Sequence, residues 1–252
     1  MFQLLFTIFA FGIIMSASSG EEIVVGGESP VSSSAPNRAA LAAKRVKPQL
    51  TKDLAEIGCK IGDPIFMRVF KEEGVLEMWL QPSNGAKFKK FRTYKIARFS
   101  GRLGPKQKQG DMQAPEGFYY VPRSKMNPRS SFHLSFDLGY PNAYDRAYGR
   151  TGDFLMVHGN QVSIGCYAMT DANIEEIYTL ADEAMDHGQD FFRVHCFPFR
   201  MTDKRMSAAA ESGWRDFWVN LREGYNAFEE TGIPPNITVN EKRYIIEKRN
   251  TR

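Results

Sequence analysis

Residues 153–199 read DFLMVHGNQVSIGCYAMTDANIEEIYTLADEAMDHGQDFFRVHCFPF, and the hydrophobic period changes twice along this run. DFLMVHG (153–159) is a short apolar strand of the buried type that stops at a glycine. From Asp171 onward, Ile174, Ile177, Tyr178, Ala181 and Met185 recur at helical spacing. Asp171 is the expected N-cap, and Gly188 lies just past the end. FFRVHCFPF (191–199) is again a strand. Working upstream, FHLSFDL (132–138) alternates, Phe118–Val121 is a short strand, and Phe88–Phe99 is long, aromatic and basic. Val75–Leu80 alternates and Ile65–Phe70 is apolar throughout, with turn signals at Glu73-Gly74 and Asn84-Gly85 between them. Helical patterns flank these strands. One carries Leu41, Leu50, Leu54 and Ile57 and ends at Gly58. The other runs from Asp203 to about Glu230 with Trp214, Phe217, Trp218, Leu221 and Tyr225, and stops before Pro234-Pro235. Many strands with helices gathered towards the two ends predict a β-rich α+β domain with flanking N- and C-terminal helices. The regular strand–helix alternation of a parallel nucleotide-binding sheet is missing, and no Gly-rich phosphate loop opens a helix.

A chain of 252 residues with 42% hydrophobic positions is long enough for one sizeable core. A net charge of +4 is too small and too scattered to indicate nucleic-acid binding. The first twenty residues, MFQLLFTIFAFGIIMSASSG, carry no charge and pass from an apolar run (Leu4–Met15) to small residues. They read as a secretory signal peptide (1–20), with retention as a membrane anchor as the alternative. A Gly/Ser/Pro-rich stretch (21–36) begins a flexible linker taken as 21–45. Export bears on Cys59, Cys166 and Cys196: an odd number leaves at least one thiol free. Cys59 and Cys196 read either as small buried apolar residues or as a disulfide that leaves Cys166 free.

LMVHGNQVSIGCYAMTD (155–171) carries the chemistry. A neighbouring imidazole can take the proton of Cys166, and a helix starting shortly afterwards would favour the thiolate. His158 ends a strand eight positions earlier (166 minus 158), and Gly159-Asn160 can turn the chain back towards the thiol. Gly165 would let a substrate approach closely, and the amides around Gly165, Cys166 and Tyr167 could converge on an oxyanion. Spacing alone leaves the pair open between a catalytic dyad and a core histidine with a buried thiol.

The stretch HG-x-x-x-S-x-G-C resembles the signature of the YkuD-type L,D-transpeptidases, and APEGFYYV (114–121) resembles the strand entry that precedes it in that family. The likeness is greatest to the YafK-like branch (also known as DpaA). It extends through FKEEGVLEMWL, FRTYKIARFSGRLGPK, GDMQAPEGFYYV, FHLSFDLGYPNAYDRAYGRTG, MVHGNQVSIGCYAMTD and FFRVHCFPFRMT. The resemblance implies a YkuD-like catalytic domain over residues 46–203, and the helical pattern of the tail makes 204–252 a helical C-terminal extension. It implies Cys166 as nucleophile and His158 as base, acting on peptidoglycan stem peptides at a meso-diaminopimelate centre. It implies neither metal nor organic cofactor, and a site in the bacterial periplasm or cell envelope. Two departures stand out: Ile164 replaces the second histidine of the box, and Ala168 replaces an Arg or Asn two places after the cysteine. The YafK-like resemblance also implies an alternative in which water is the acceptor and an envelope lipoprotein is released from peptidoglycan. A murein-binding module without catalysis is the reading from another class.

Ser163, His133, Tyr140, Asn142, Arg146 and Arg150 are candidate substrate-binding residues. The last four crowd one loop, where arginines could hold carboxylates. His133 is expected on a strand, alternating with Phe132 and Leu134. His195 and Cys196 are adjacent on a strand and so face opposite ways, which excludes a direct dyad. A zinc site from His133, His158, Cys166 and His195 matches no common ligand spacing. Arg102, Lys106 and Lys108 read as surface charge.

Overall fold

Helix α1 spans Arg38–Glu56 in the computed structural model, which describes residues 37–85 and 87–249. The segments expected as signal peptide (1–20) and Gly/Ser/Pro-rich stretch (21–36) therefore lie outside the described residues. The side chain of Asn37 caps α1 by accepting from the Ala40 amide at 3.2 Å. Residues 38–45, expected as linker, are thus helical. The buried face of α1 is Ala42, Leu50 and Leu54. Leu41 is 44% exposed, because nine steps of about 100° from Leu50 put it on the opposite side.

The chain continues through β1 (Ile65–Phe70), β2 (Val75–Leu80), β3 (Lys89–Lys95), β4 (Gly117–Pro122), β5 (Met126–Asn127) and β6 (Ser135–Asp137). After α2 (Ala143–Ala147) come β7 (Met156–His158), β8 (Tyr167–Ala168), α3 (Asp171–Asp186) and β9 (Phe191–Phe197). The last elements are α4 (Asp203–Ala208), α5 (Arg215–Thr231), β10 (Asn236–Asn240) and β11 (Arg243–Glu247). This is the mixed α+β architecture that the strand and helix patterns predict. No helix among the described residues is long and apolar enough to cross a membrane.

A five-stranded sheet has the order β3-β2-β1-β9-β4, with β1 and β9 parallel and the other pairs antiparallel. The central strand β1, IFMRVF, is buried at every position. Its Arg68 is balanced by the buried carboxylate of Glu77 at 2.8 Å. A second sheet, β5-β6-β7-β8, holds the site. Helix α3, capped by Thr170 rather than by the expected Asp171, buries Ile174, Ile177, Tyr178, Ala181 and Met185 in the main core.

The C-terminal tail is not purely helical. It breaks into α4 and α5 and then forms the β10–β11 hairpin. Glu241 and Lys242 make that turn with φ of 44° and 61°. Neither is one of the Asn or Gly residues that usually mark such a turn. Phe217, Trp218 and Leu221 of α5 join Phe70, Phe118, Phe197 and Tyr244 in a second core cluster. Trp218 Nε1 also donates to Glu116 at 2.8 Å, and Glu116 pairs with the fully buried Lys71 at 3.0 Å.

Candidate active site

Strands β7 and β8 are parallel, with Val157 opposite Tyr167 and His158 opposite Ala168. A chain that leaves one strand and enters its parallel neighbour must return to the starting end first. Residues 159–166 make that return, so Cys166, just before β8, lies beside the beginning of β7. The Met156 N–H accordingly points at Cys166 Sγ, 3.4 Å away. This main-chain donor opposes the effect of burial, which pushes the Cys166 thiol above its usual value. The thiol is half-buried, whereas Cys59 and Cys196 are fully buried; all three are free, so the disulfide alternative is not formed.

The His158 backbone is clamped on both sides. Gly159 N donates to Leu134 O at 3.1 Å, and Met169 N donates to His158 O at 2.8 Å. The ring lies against Phe132, centroids 4.6 Å apart. Its Nδ1 is bonded to Gly159 O. A carbonyl only accepts, so Nδ1 carries the proton and Nε2 is left as the acceptor. Burial lowers the His158 pKa below its usual value and keeps the imidazole neutral. The His-Gly pair is steric in origin, since a Cβ on Gly159 would meet Asp171 Oδ1 at 2.6 Å and Phe132 O at 2.8 Å.

His158 and Cys166 line one cavity of about 480 Å³. Phe154, Val162 and Ile164 form its apolar lip at 68%, 52% and 77% exposure. Ile164 therefore does not fill the core, and its place in the box is at the entrance. Gly165 has φ of +145°, a conformation open to glycine, and this adds to the close-approach argument for that position. Its N–H is directed at Ser163 Oγ at 3.2 Å, and the same hydroxyl donates to Cys166 O at 2.6 Å. Ser163 thus holds the box in shape. Tyr167 is fully buried, with its hydroxyl on Pro115 O at 2.6 Å.

The other candidates do not line this cavity. His133 precedes β6 at φ of +69° instead of alternating within a strand, and its Nε2 meets Glu175 at 2.8 Å. Tyr140 is buried with its hydroxyl towards Lys106 O, and Asn142 caps α2. Arg146 bonds Pro141 O, and the buried Arg150 pairs with Asp145 at 2.7 Å. Asn142 also donates to Phe118 O and to the Tyr244 hydroxyl, so this loop is tied to its neighbours instead of opening onto the cavity. Lys106, read as surface charge, is instead buried, lines the cavity, and bonds Lys108 O and Asp111. Arg98 and Asp153 line it as well, and the sequence reading missed both.

The family description "YkuD: L,D-transpeptidase catalytic domain" matches residues 70–194. "Putative L,D-transpeptidase YafK" of Escherichia coli strain K12 is 44% identical over 188 residues, covering 75% of this chain and 76% of the relative. The chain belongs to the L,D-transpeptidase family. The O157:H7 relative of the same name matches to the same extent. Among solved structures, a K307A mutant of the helical cell shape determining protein Pgp2 from Campylobacter jejuni aligns with TM-score 0.43 and 23% identity. That alignment covers 70% of this chain and 62% of the Pgp2 chain, so the present chain spans less than two thirds of it. Bd1075 of Bdellovibrio bacteriovorus aligns with TM-score 0.37 and 20% identity, over 74% of this chain and 83% of that one. Family membership makes this a peptidoglycan enzyme of the L,D-transpeptidase type.

Proposed function

We propose that this L,D-transpeptidase works through a Cys166 acyl-enzyme formed at a meso-diaminopimelate centre of a murein stem peptide. The supporting observation is one cavity lined by a half-buried thiol and by a neutral histidine whose Nε2 is the free acceptor. His158 Nε2 takes the proton of Cys166, and Sγ attacks the amide carbonyl carbon. With the Gly165 N–H engaged by Ser163 Oγ, the remaining backbone N–H groups beside Cys166 serve the oxyanion of the tetrahedral intermediate. As the C–N bond breaks, His158 returns the proton to the departing amine and leaves a thioester. An amine acceptor then takes the acyl group and regenerates the thiol, forming a cross-link or a protein attachment.

The reading includes export to the envelope, where peptidoglycan lies, and cell fractionation tests that part. The chemistry is tested by incubation with purified sacculi or defined muropeptides and mass spectrometry of protein and products. The expected result is an acyl adduct on Cys166 and new cross-linked muropeptides. Released peptide or lipoprotein without cross-links would make water the acceptor, and an adduct on another cysteine would overturn the assignment.

A further inference from the structure

We propose that Arg98 and Asp153 together form the subsite that holds the zwitterionic amino-acid end of the substrate's diamino acid. The proposal rests on the reading of Cys166 as the nucleophile at a diaminopimelate centre. Four charged groups bear on the cavity wall, and they divide into two kinds. Lys106 and Asp111 neutralise each other. Asp111 also accepts from the Gln107, Lys108 and Gln113 amides, so this pair is committed to shaping its loop. Arg98 and Asp153 are exposed, and among the described residues neither side chain makes a hydrogen bond or ion pair, with each other or with anything else. The wall thus offers a ligand one guanidinium and one carboxylate.

Arg98 is held in place through its backbone. It bridges Ala168 on the outer edge of β8, with Ala168 N donating to Arg98 O at 2.9 Å and Ala97 N donating to Ala168 O at 2.8 Å. Ala168 stands two residues from the nucleophile, so this bridge fixes the backbone of Arg98 beside the cavity that its side chain lines. Asp153 lines the same cavity one residue before the exposed Phe154 of the lip. A free α-amino acid terminus carries one carboxylate and one ammonium, and it is the ligand end whose charges this wall complements. A guanidinium suits the carboxylate because its fork can give two parallel hydrogen bonds. Solvent exposure of both groups before binding keeps their desolvation cost low compared with buried charges.

The test uses the full-length protein and three muropeptides. One has an unmodified diaminopimelate side chain, one has its free carboxylate amidated, and one has its free amine acetylated. Formation of the Cys166 adduct is followed by mass spectrometry to give KM and kcat for each. Wild type should prefer the unmodified peptide by about tenfold or more over each altered one, the scale of a hydrogen bond to a charged group. Arg98→Gln should abolish the preference over the amidated peptide while keeping the preference over the acetylated one. Asp153→Asn should do the converse, with both changes in KM rather than kcat. Wild type reacting without either preference, or variants that keep both, would overturn the subsite. No adduct with any peptide would instead overturn the Cys166 reading on which it rests.

Discussion

His158 and Cys166 are eight positions apart and line one cavity, whereas His195 and Cys196 are consecutive and line none of the cavities described above. The ring of His195 is enclosed edge-on by Phe66 and Phe118, each 4.7 Å away, and neither of its nitrogens has a partner among the described residues. Cys196 is fully buried, and burial drives its thiol far above the usual range. His158 has one nitrogen fixed by a carbonyl, and Cys166 has a main-chain N–H aimed at its sulfur. Proximity in sequence therefore says little. What separates the pair proposed to react from two core residues is a shared cavity, a fixed tautomer and a main-chain donor at the sulfur.

The largest effect expected from breaking the comparison is at sulfur. Cys166→Ala should lose the acyl adduct completely while keeping its fold. Cys196→Ala should retain turnover within a few-fold and show its cost as a lower Tm. Measuring both variants by adduct mass and thermal unfolding checks this, and an active Cys166→Ala would end the nucleophile assignment.

The histidines come next. His158→Asn should lower kcat by about a hundred- to ten-thousandfold, the usual worth of general acid–base catalysis. Because burial lowers its pKa, the acid limb of the wild-type rate profile should lie below pH 6.5. His195→Leu should leave the rate near wild type and alter stability instead. Burial first, then the charges of Arg193 and Arg68, hold the folded His195 pKa well below 6.5. Below pH 6.5 the unfolded chain binds this proton and the folded chain does not, so stability falls as pH falls. The slope is about 1.4 kcal/mol per pH unit until the folded value is reached. Denaturant titrations between pH 7 and 5 should show a shallower loss for His195→Leu, and parallel curves would count against the buried neutral imidazole.

The two pairs also mark how far sequence could be read. Period gave the strands on either side of Cys166 and the helix after it, since Ile174, Ile177 and Tyr178 bury one face of α3. The box residues could be named because spacing, glycines and family resemblance converge on them. The Met156 N–H could not be found, because a main-chain donor leaves no trace in residue identity. Arg98 and Asp153 sit 68 and 13 residues before Cys166 in the chain, and only the bridge of Arg98 to Ala168 and the approach of residues 153–155 to β7 bring them to one cavity. Conversely, Tyr140, Asn142, Arg146 and Arg150 look like a binding loop in composition. Each is occupied by a local cap, carbonyl or carboxylate. The β10–β11 hairpin escaped because Glu241-Lys242 takes positive φ without glycine or asparagine, at a cost that the buried Tyr244 helps to offset.

The smallest predicted effect concerns the loop between the strands, where the reactive pair differs most from the buried one. Ser163 Oγ links the Gly165 amide to the Cys166 carbonyl, and it spans the return that sets the thiol beside Met156. Ser163→Ala removes both hydrogen bonds in a partly solvated place, where each is worth about 0.5–1.5 kcal/mol. Turnover should fall by roughly tenfold at that scale, with the His158 pH limb unmoved. Ser163→Thr keeps the hydroxyl and should recover most of the rate, as comparison of kcat/KM for the two variants will show. Equal losses in both would mean that the side-chain volume at 163, rather than its hydroxyl bridge, shapes the nucleophile loop.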